Sequence, residues 1–320
     1  MTEKEGRDIM YMDVLASPYG RNGYAKPIFE QVLQMIDTKI VDLYQSYGVP
    51  REGARGGFLQ AWIWNTPTAI SPAGRRRPAV LILPGGGYNH VSVREAEPVA
   101  FRFMARGYGA FVLNYSVCPS RFPTALREAA MAMKYIREHA EVWEVNPHMV
   151  AAIGFSAGGH LCGTLGTLFD SPEVQDIGSP EWIRPDALGL CYPVAVSWGN
   201  THEGSFDHLT GKNPELRQRL SLDHLVRKDM PPTYLWHTRT DECVPVRNAL
   251  VLAQALDDKG VDFAMHIFPR GPHGLSLGDE QCYRTGNVPE KSEDVLTWPE
   301  NMMKFFQKLG FSIQDAETDS

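Results

Sequence analysis

The spacing of apolar positions changes character along this chain. Between residues 27 and 47, apolar side chains fall at Phe29, Val32, Leu33, Ile36, Ile40, Leu43, Tyr44 and Tyr47, a helical spacing on one face. That pattern predicts a helix packed on the main body. From Gly57 onward, short unbroken apolar runs alternate with helix-period segments. Residues 58–64, 79–83, 110–115, 149–154, 187–196, 234–237 and 263–268 read as strands. Residues 125–139, with Ala129, Met133 and Ile136 on one side, read as a helix. Residues 299–309 read as a closing helix, with a proline in its first turn and Gly310 placed to cap its end. Buried strands separated by helices imply an α/β fold, a mostly parallel central sheet with helices on both faces. The expected organisation is an N-terminal helical extension over 1–56, a main domain over 57–311 and a polar tail over 312–320. No repeat, low-complexity segment or linker interrupts the main domain.

Composition narrows the function classes. An apolar share of 43% and a charged share of 22% are those of a globular protein, and a net charge of -7 disfavours nucleic acid or an anionic membrane as partner. The polar start, Met1 to Asp8, lacks the apolar core of a secretory signal, and no apolar stretch approaches membrane-spanning length. Cys118, Cys162, Cys191, Cys243 and Cys282 are scattered and odd in number, as in a reduced cytoplasmic chain. Histidines form no cluster with metal-ligand spacing, so neither metal nor cofactor is expected.

The chemistry is carried by loops at strand ends, where ligands sit in parallel sheets. Gly154-Phe155-Ser156-Ala157-Gly158 matches G-x-S-x-G between a strand and a helix start. A serine alcohol is a poor nucleophile and needs a sharp turn to present it to a base. Ser156 is therefore the expected nucleophile. His160, four residues on, is expected to pack along the helix. After the strand over 79–83 come Pro84, Gly85, Gly86, Gly87 and Tyr88. Glycines let backbone N–H groups face a developing oxyanion, where each donor is worth about 3–4 kcal/mol. Gly86 or Gly87, with Ala157, are the candidate donors. Tyr88, Asn89 and His90 are candidate cleft residues, and Ser92-Val93-Arg94-Glu95 fits a helix capping box.

With a serine presented this way, the acid and then the base follow it along the chain. Asp241 lies just past the strand over 234–237, where a carboxylate can orient an imidazole, with Glu242 as the second choice. His237, inside that strand, reads as a core histidine. His273, flanked by Pro272 and Gly274 after the strand over 263–268, is the expected general base. Trp198, His202, Phe206 and His208 are candidates for a lid or sugar platform within residues 198–228, and Tyr192 and Pro193 for an acyl-pocket border.

Together, Gly-Phe-Ser-Ala-Gly-Gly-His-Leu around Ser156, the Pro-Gly-Gly-Gly-Tyr run, Thr240-Asp241 with Val244-Pro245, and Pro272-His273-Gly274 resemble bacterial α/β-hydrolase esterases. The resemblance covers about residues 57–311. It is nearest to the acetyl xylan esterase and broad-specificity feruloyl esterase-like branch, related to the hormone-sensitive lipase and prolyl oligopeptidase families. It implies removal of acetyl groups from sugars or xylo-oligosaccharides by an acyl-enzyme on Ser156, with no cofactor. The substrate partner would be a small acylated sugar, and the sequence leaves room for a homo-oligomer. Many relatives carry a His where this chain has Pro84, so the bonds ordering the glycine loop are expected to differ. Two alternatives stay open: a serine peptidase on short peptides, and a catalytically silent hydrolase fold used for binding.

Overall fold

The unbroken apolar runs from residue 58 onward assemble into a sheet whose middle is parallel. The computed structural model describes residues 35–67, 70–71, 74–199, 201–283 and 293–316. Its strands are β1 (Ile36–Asp42), β2 (Phe58–Trp64), β3 (Arg75–Leu83), β4 (Gly109–Asn114), β5 (Val145–Phe155), β6 (Ala187–Cys191), β7 (Thr233–Thr238), β8 (Phe263–Phe268) and β9 (Gln314–Asp315). Its helices are α1 (Leu43–Tyr47), α2 (Glu97–Met104), α3 (Thr124–Glu138), α4 (Ala157–Thr167), α5 (Pro180–Ile183), α6 (Glu203–Thr210), α7 (Pro214–Arg219), α8 (Leu222–Leu225), α9 (Arg247–Asp258) and α10 (Trp298–Lys308). The sheet order is β1-β2-β4-β3-β5-β6-β7-β8. β1 and β2 run antiparallel to their neighbours, and β4, β3, β5, β6, β7 and β8 pair in parallel.

Both faces are buried in the middle of the sheet, from β4 to β7, which is why those strands are apolar at successive positions. Leu81, Leu83, Phe111, Leu113 and Ala152 point to one face, packed with residues such as Ala129, Met133 and Ile136 of α3 and Leu161 and Leu165 of α4. Val80, Ile82, Val112, Ala151 and Ile153 point to the other, beside Val99 and Phe103 of α2 and Met302 and Phe306 of α10. Each such large side chain contributes about 1.5–3 kcal/mol by leaving water. The register aligns the carboxyl ends of the parallel strands: Leu83 opposite Gly154, Phe155 opposite Cys191, Cys191 opposite Trp236 and Thr238 opposite Phe268. The loops after β3, β5, β6, β7 and β8 therefore leave along one edge.

The amino-terminal helix is corrected by the structure. Residues 36–42 form an edge strand, paired with β2 from Ile36 opposite Trp64 to Asp42 opposite Phe58. Ile36, Thr38, Ile40 and Val41 are β-branched, which favours an extended chain over a helix. Only residues 43–47 are helical, capped by the Asp42 side chain on the Gln45 N–H, while 27–34 lie outside the described residues. A boundary at residue 57 thus cuts through the sheet. In the polar tail, Gln314 and Asp315 pair with Arg76 and Arg75 at the start of β3.

Candidate active site

The turn between β5 and α4 presents Ser156 at φ 53° and ψ -117°. A non-glycine residue held there stores strain of about 1–3 kcal/mol, so its surroundings must over-determine it. They do: the Ser156 N–H donates to the Cys191 carbonyl at 3.0 Å, and its carbonyl accepts from Val194 and His160 at 3.1 Å each. The helix follows so tightly that a Cβ on Gly158 would lie 2.0 Å from the Leu83 carbonyl oxygen. Only glycine lets α4 start beside the end of β3.

The loops after β7 and β8 bring Asp241 and His273 to the same edge. His273 Nε2 lies 2.7 Å from Ser156 Oγ, and His273 Nδ1 lies 2.6 Å from Asp241 Oδ2. A carboxylate only accepts, so Nδ1 carries the proton and Nε2 is free to accept from the serine hydroxyl. Asp241 Oδ1 accepts the N–H groups of Cys243 at 3.0 Å and Val244 at 2.9 Å. His237 Nε2 approaches Oδ2 at 3.3 Å while facing the Val244 carbonyl at 2.8 Å. Burial pushes the Asp241 carboxyl upward, but hydrogen bonds from His237 and His273, the charge of His273 and the Val244 N–H hold it well below the usual range. It stays an anion. The loop that carries His273 is pinned by Thr238 Oγ1–H on the Gly271 carbonyl at 2.8 Å and by the Tyr283 hydroxyl on the Gly274 carbonyl at 2.8 Å.

The glycine loop lies across from this relay. Gly86 adopts φ 123°, a region glycine alone populates readily, and a Cβ there would meet the His90 carbonyl oxygen at 2.1 Å. The Pro84 carbonyl accepts from the Tyr115 hydroxyl at 2.6 Å, the Gly85 N–H donates to Glu95 Oε2 at 2.7 Å, and the Gly87 carbonyl accepts from His208 Nδ1 at 2.8 Å. Gly86, Gly87 and Ser156 line one cavity of about 330 Å³. Ala157 is the first residue of α4, so its N–H has no acceptor within the helix.

Several side chains lie elsewhere than the sequence motifs suggested. Asn89 and His90 do line the cavity, as do Ser92, Arg94, Glu95, His202, His208, Cys243 and Gly274. Tyr88 does not: at φ 54° its ring turns inward, buried, and its hydroxyl meets His160 Nδ1 at 2.9 Å. Tyr192 is also buried, with its ring edge-on to the His273 imidazole at 5.1 Å. Trp198 is exposed outside the cavity lining, donating to Asp223 at 2.9 Å. Phe206 is buried against the His160 ring. His160 packs as expected, its pKa pushed down to about 4 by burial. Glu242 is exposed and stands apart from the relay. The capping box is not formed: Ser92 makes no side-chain cap bond, and Glu95 turns inward to the glycine loop.

This doubly covered parallel sheet with a serine on its strand-to-helix turn defines a class of hydrolase. The chain belongs to the α/β-hydrolases, within the prolyl oligopeptidase family, whose model matches residues 126–304, and a second model, BD-FAE, matches residues 70–179. Among solved structures, an acetyl ester-xyloside bifunctional hydrolase from Caldicellulosiruptor lactoaceticus is 34% identical with a TM-score of 0.72, covering 85% of this chain and 97% of that one. Endo-1,4-beta-xylanase B of Butyrivibrio fibrisolvens is 37% identical over 65% of this chain and 34% of its own length. An acetylxylan esterase of Xylanibacter ruminicola is 29% identical over 71% and 48%. The chain thus spans about a third to a half of the length of these two relatives.

Proposed function

We propose that this chain is a serine carboxylesterase that removes short acyl groups, acetyl foremost, from carbohydrate esters such as acetylated xylo-oligosaccharides. The observation that carries this reading is the unbroken relay from Ser156 Oγ through His273 to Asp241, at 2.7 and 2.6 Å. His273 Nε2 takes the serine proton as Oγ attacks the ester carbonyl, and Asp241 stabilises the imidazolium that forms. The N–H groups of Gly86 or Gly87 and of Ala157 receive the oxyanion. As the tetrahedral intermediate collapses, the sugar alcohol leaves with the proton from His273. Water, deprotonated by the same ring, then attacks the acyl-serine and frees the acid.

The character of the cavity supports a polyhydroxylated substrate with a small acyl group. The side chains lining the cavity beside Ser156 include those of Asn89, His90, Ser92, Arg94, His202 and His208, all able to hydrogen-bond hydroxyls. No large aliphatic side chain is among the lining residues to hold a long acyl tail. The xyloside-acting and acetylxylan-acting relatives support the same class.

The prolyl oligopeptidase match favours a second reading, amide hydrolysis by the same relay. Mass spectrometry of acetylated xylo-oligosaccharides, run beside aminoacyl amides and with Ser156→Ala as control, separates the two. Loss of acetyl mass with wild type alone is the expected result. Cleavage of amides only overturns the ester reading, and deacetylation by Ser156→Ala overturns the role of the serine.

A further inference from the structure

Glu95 is 3% exposed and forms no ion pair among the described residues. A carboxylate buried without a cation is costly unless donors converge on it. Two donors do, and they come from different loops. Glu95 Oε2 accepts the Gly85 N–H at 2.7 Å, and Oε1 accepts the Tyr192 hydroxyl at 2.7 Å. The Tyr192 oxygen accepts in turn from the Ser276 N–H at 2.9 Å, three residues past His273. Ser276 Oγ–H closes the circuit on the carbonyl of Arg94 at 2.5 Å. Burial, and then the neighbouring Glu95 charge, push the Tyr192 phenol well upward, so it remains a donor.

The Gly85 position leaves no slack. A Cβ there would lie 2.7 Å from Glu95 Oε2 and 3.0 Å from Ser156 Cβ. The glycine loop is held between the nucleophile on one side and this carboxylate on the other.

We infer that Glu95 is a positioning residue for acyl transfer, fixing the Gly85–Gly87 loop against Ser156 and tying it, through Tyr192, to the loop that delivers His273. The inference rests on the serine esterase reading of this site. It also answers how the loop is ordered in a chain with Pro84 before its glycines. Oxyanion donors act only if held in place before charge develops. A carboxylate clamp on the loop backbone supplies that hold.

The test uses Glu95→Ala and Glu95→Gln in the full chain. It measures kcat and KM on an aryl acetate per fluorophosphonate-titrated site, together with affinity for an alkyl boronic acid whose serine adduct is tetrahedral and anionic. Glutamine keeps an acceptor for Gly85 but sets an amide against the Tyr192 hydroxyl. By the usual scale of oxyanion-hole losses, kcat per titrated site should fall about 100-fold in Glu95→Ala and about 10-fold in Glu95→Gln, with KM within about 3-fold. Boronate affinity should fall in parallel. Unchanged kcat per site and unchanged boronate affinity, with loss only of folded protein, would overturn the inference. If neither variant folds, Tyr192→Phe carries the test: a kcat reduced about 10-fold supports the clamp and an unchanged one refutes it. Wild-type protein that neither hydrolyses the ester nor takes the label overturns the esterase reading and this one with it. That result is distinct from an active wild type matched by its Glu95 variants.

Discussion

The two ends of the sheet differ in what their residues are asked to do. At the antiparallel end, β1 faces solvent along most of its length, and Ile40 is 73% exposed. Its ladder to β2 fixes the strand, but few side chains there are over-determined. At the carboxyl edge of the parallel strands, single side chains answer to several distant loops at once. Asp241 serves His273, His237, Cys243 and Val244, and Glu95 serves Gly85 and Tyr192. The parallel register concentrates chemistry because it brings sequence-distant loops to one line.

Substitutions at the two ends should therefore differ by orders of magnitude in activity. Ser156→Ala should lower kcat/KM for an aryl acetate by roughly 10⁴–10⁶, measured by initial rates, while leaving the urea midpoint near wild type. Next, Asp241→Asn should lower kcat by about 10³–10⁴, because an amide cannot enforce the Nδ1–H tautomer. The same variant tests the acid limb of stability. Asp241 is depressed in the fold, so its contribution is complete above its unfolded value of about 3.9 and is lost as pH falls below it. Urea unfolding of Asp241→Asn should accordingly lack part of the wild-type decline below about pH 4.

His160 gives a third, smaller effect, on stability. Burial lowers it to about 4, whereas the unfolded chain binds a proton near 6.5. Stability from this group is complete above about pH 6.5 and falls progressively toward pH 4, by about 3 kcal/mol at most. His160→Gln should flatten the wild-type slope in that window, read by urea titrations at stepped pH. The smallest effect belongs to the exposed edge: Ile40→Thr should shift stability by less than about 0.5 kcal/mol and leave turnover unchanged. A loss of activity at Ile40 comparable to that at Asp241 would erase the contrast between the two ends.

The same contrast governs what the sequence reveals. Strands from Phe58 onward could be read because burial on both faces demands unbroken apolar runs, and the motif loops follow from where those runs stop. The exception is β1, where Ile36 and Ile40 keep helical spacing with the apolar residues flanking them while the β-branched Ile36, Thr38, Ile40 and Val41 prefer extension. Side-chain direction is the other exception. Tyr88, Tyr192 and Trp198 neighbour active-site motifs in sequence, yet backbone turns and tertiary partners aim the first two into the core and the third away from the cavity. Glu95 was hidden by a plausible local pattern: Ser92 and Glu95 have capping-box spacing, whereas the partners of Glu95 lie 10 and 97 residues away. The available signal was Pro84, since a glycine loop without the usual histidine needs another anchor.

The most direct measurement is acid-quenched turnover of an aryl acetate followed by peptide mapping. An acetyl group is expected on the peptide carrying Ser156, and none on the corresponding peptide of Ser156→Ala, which should also release no acetate above background. Acetate release by that variant at the wild-type rate, or acetyl trapped on a different nucleophile, would contradict this expectation.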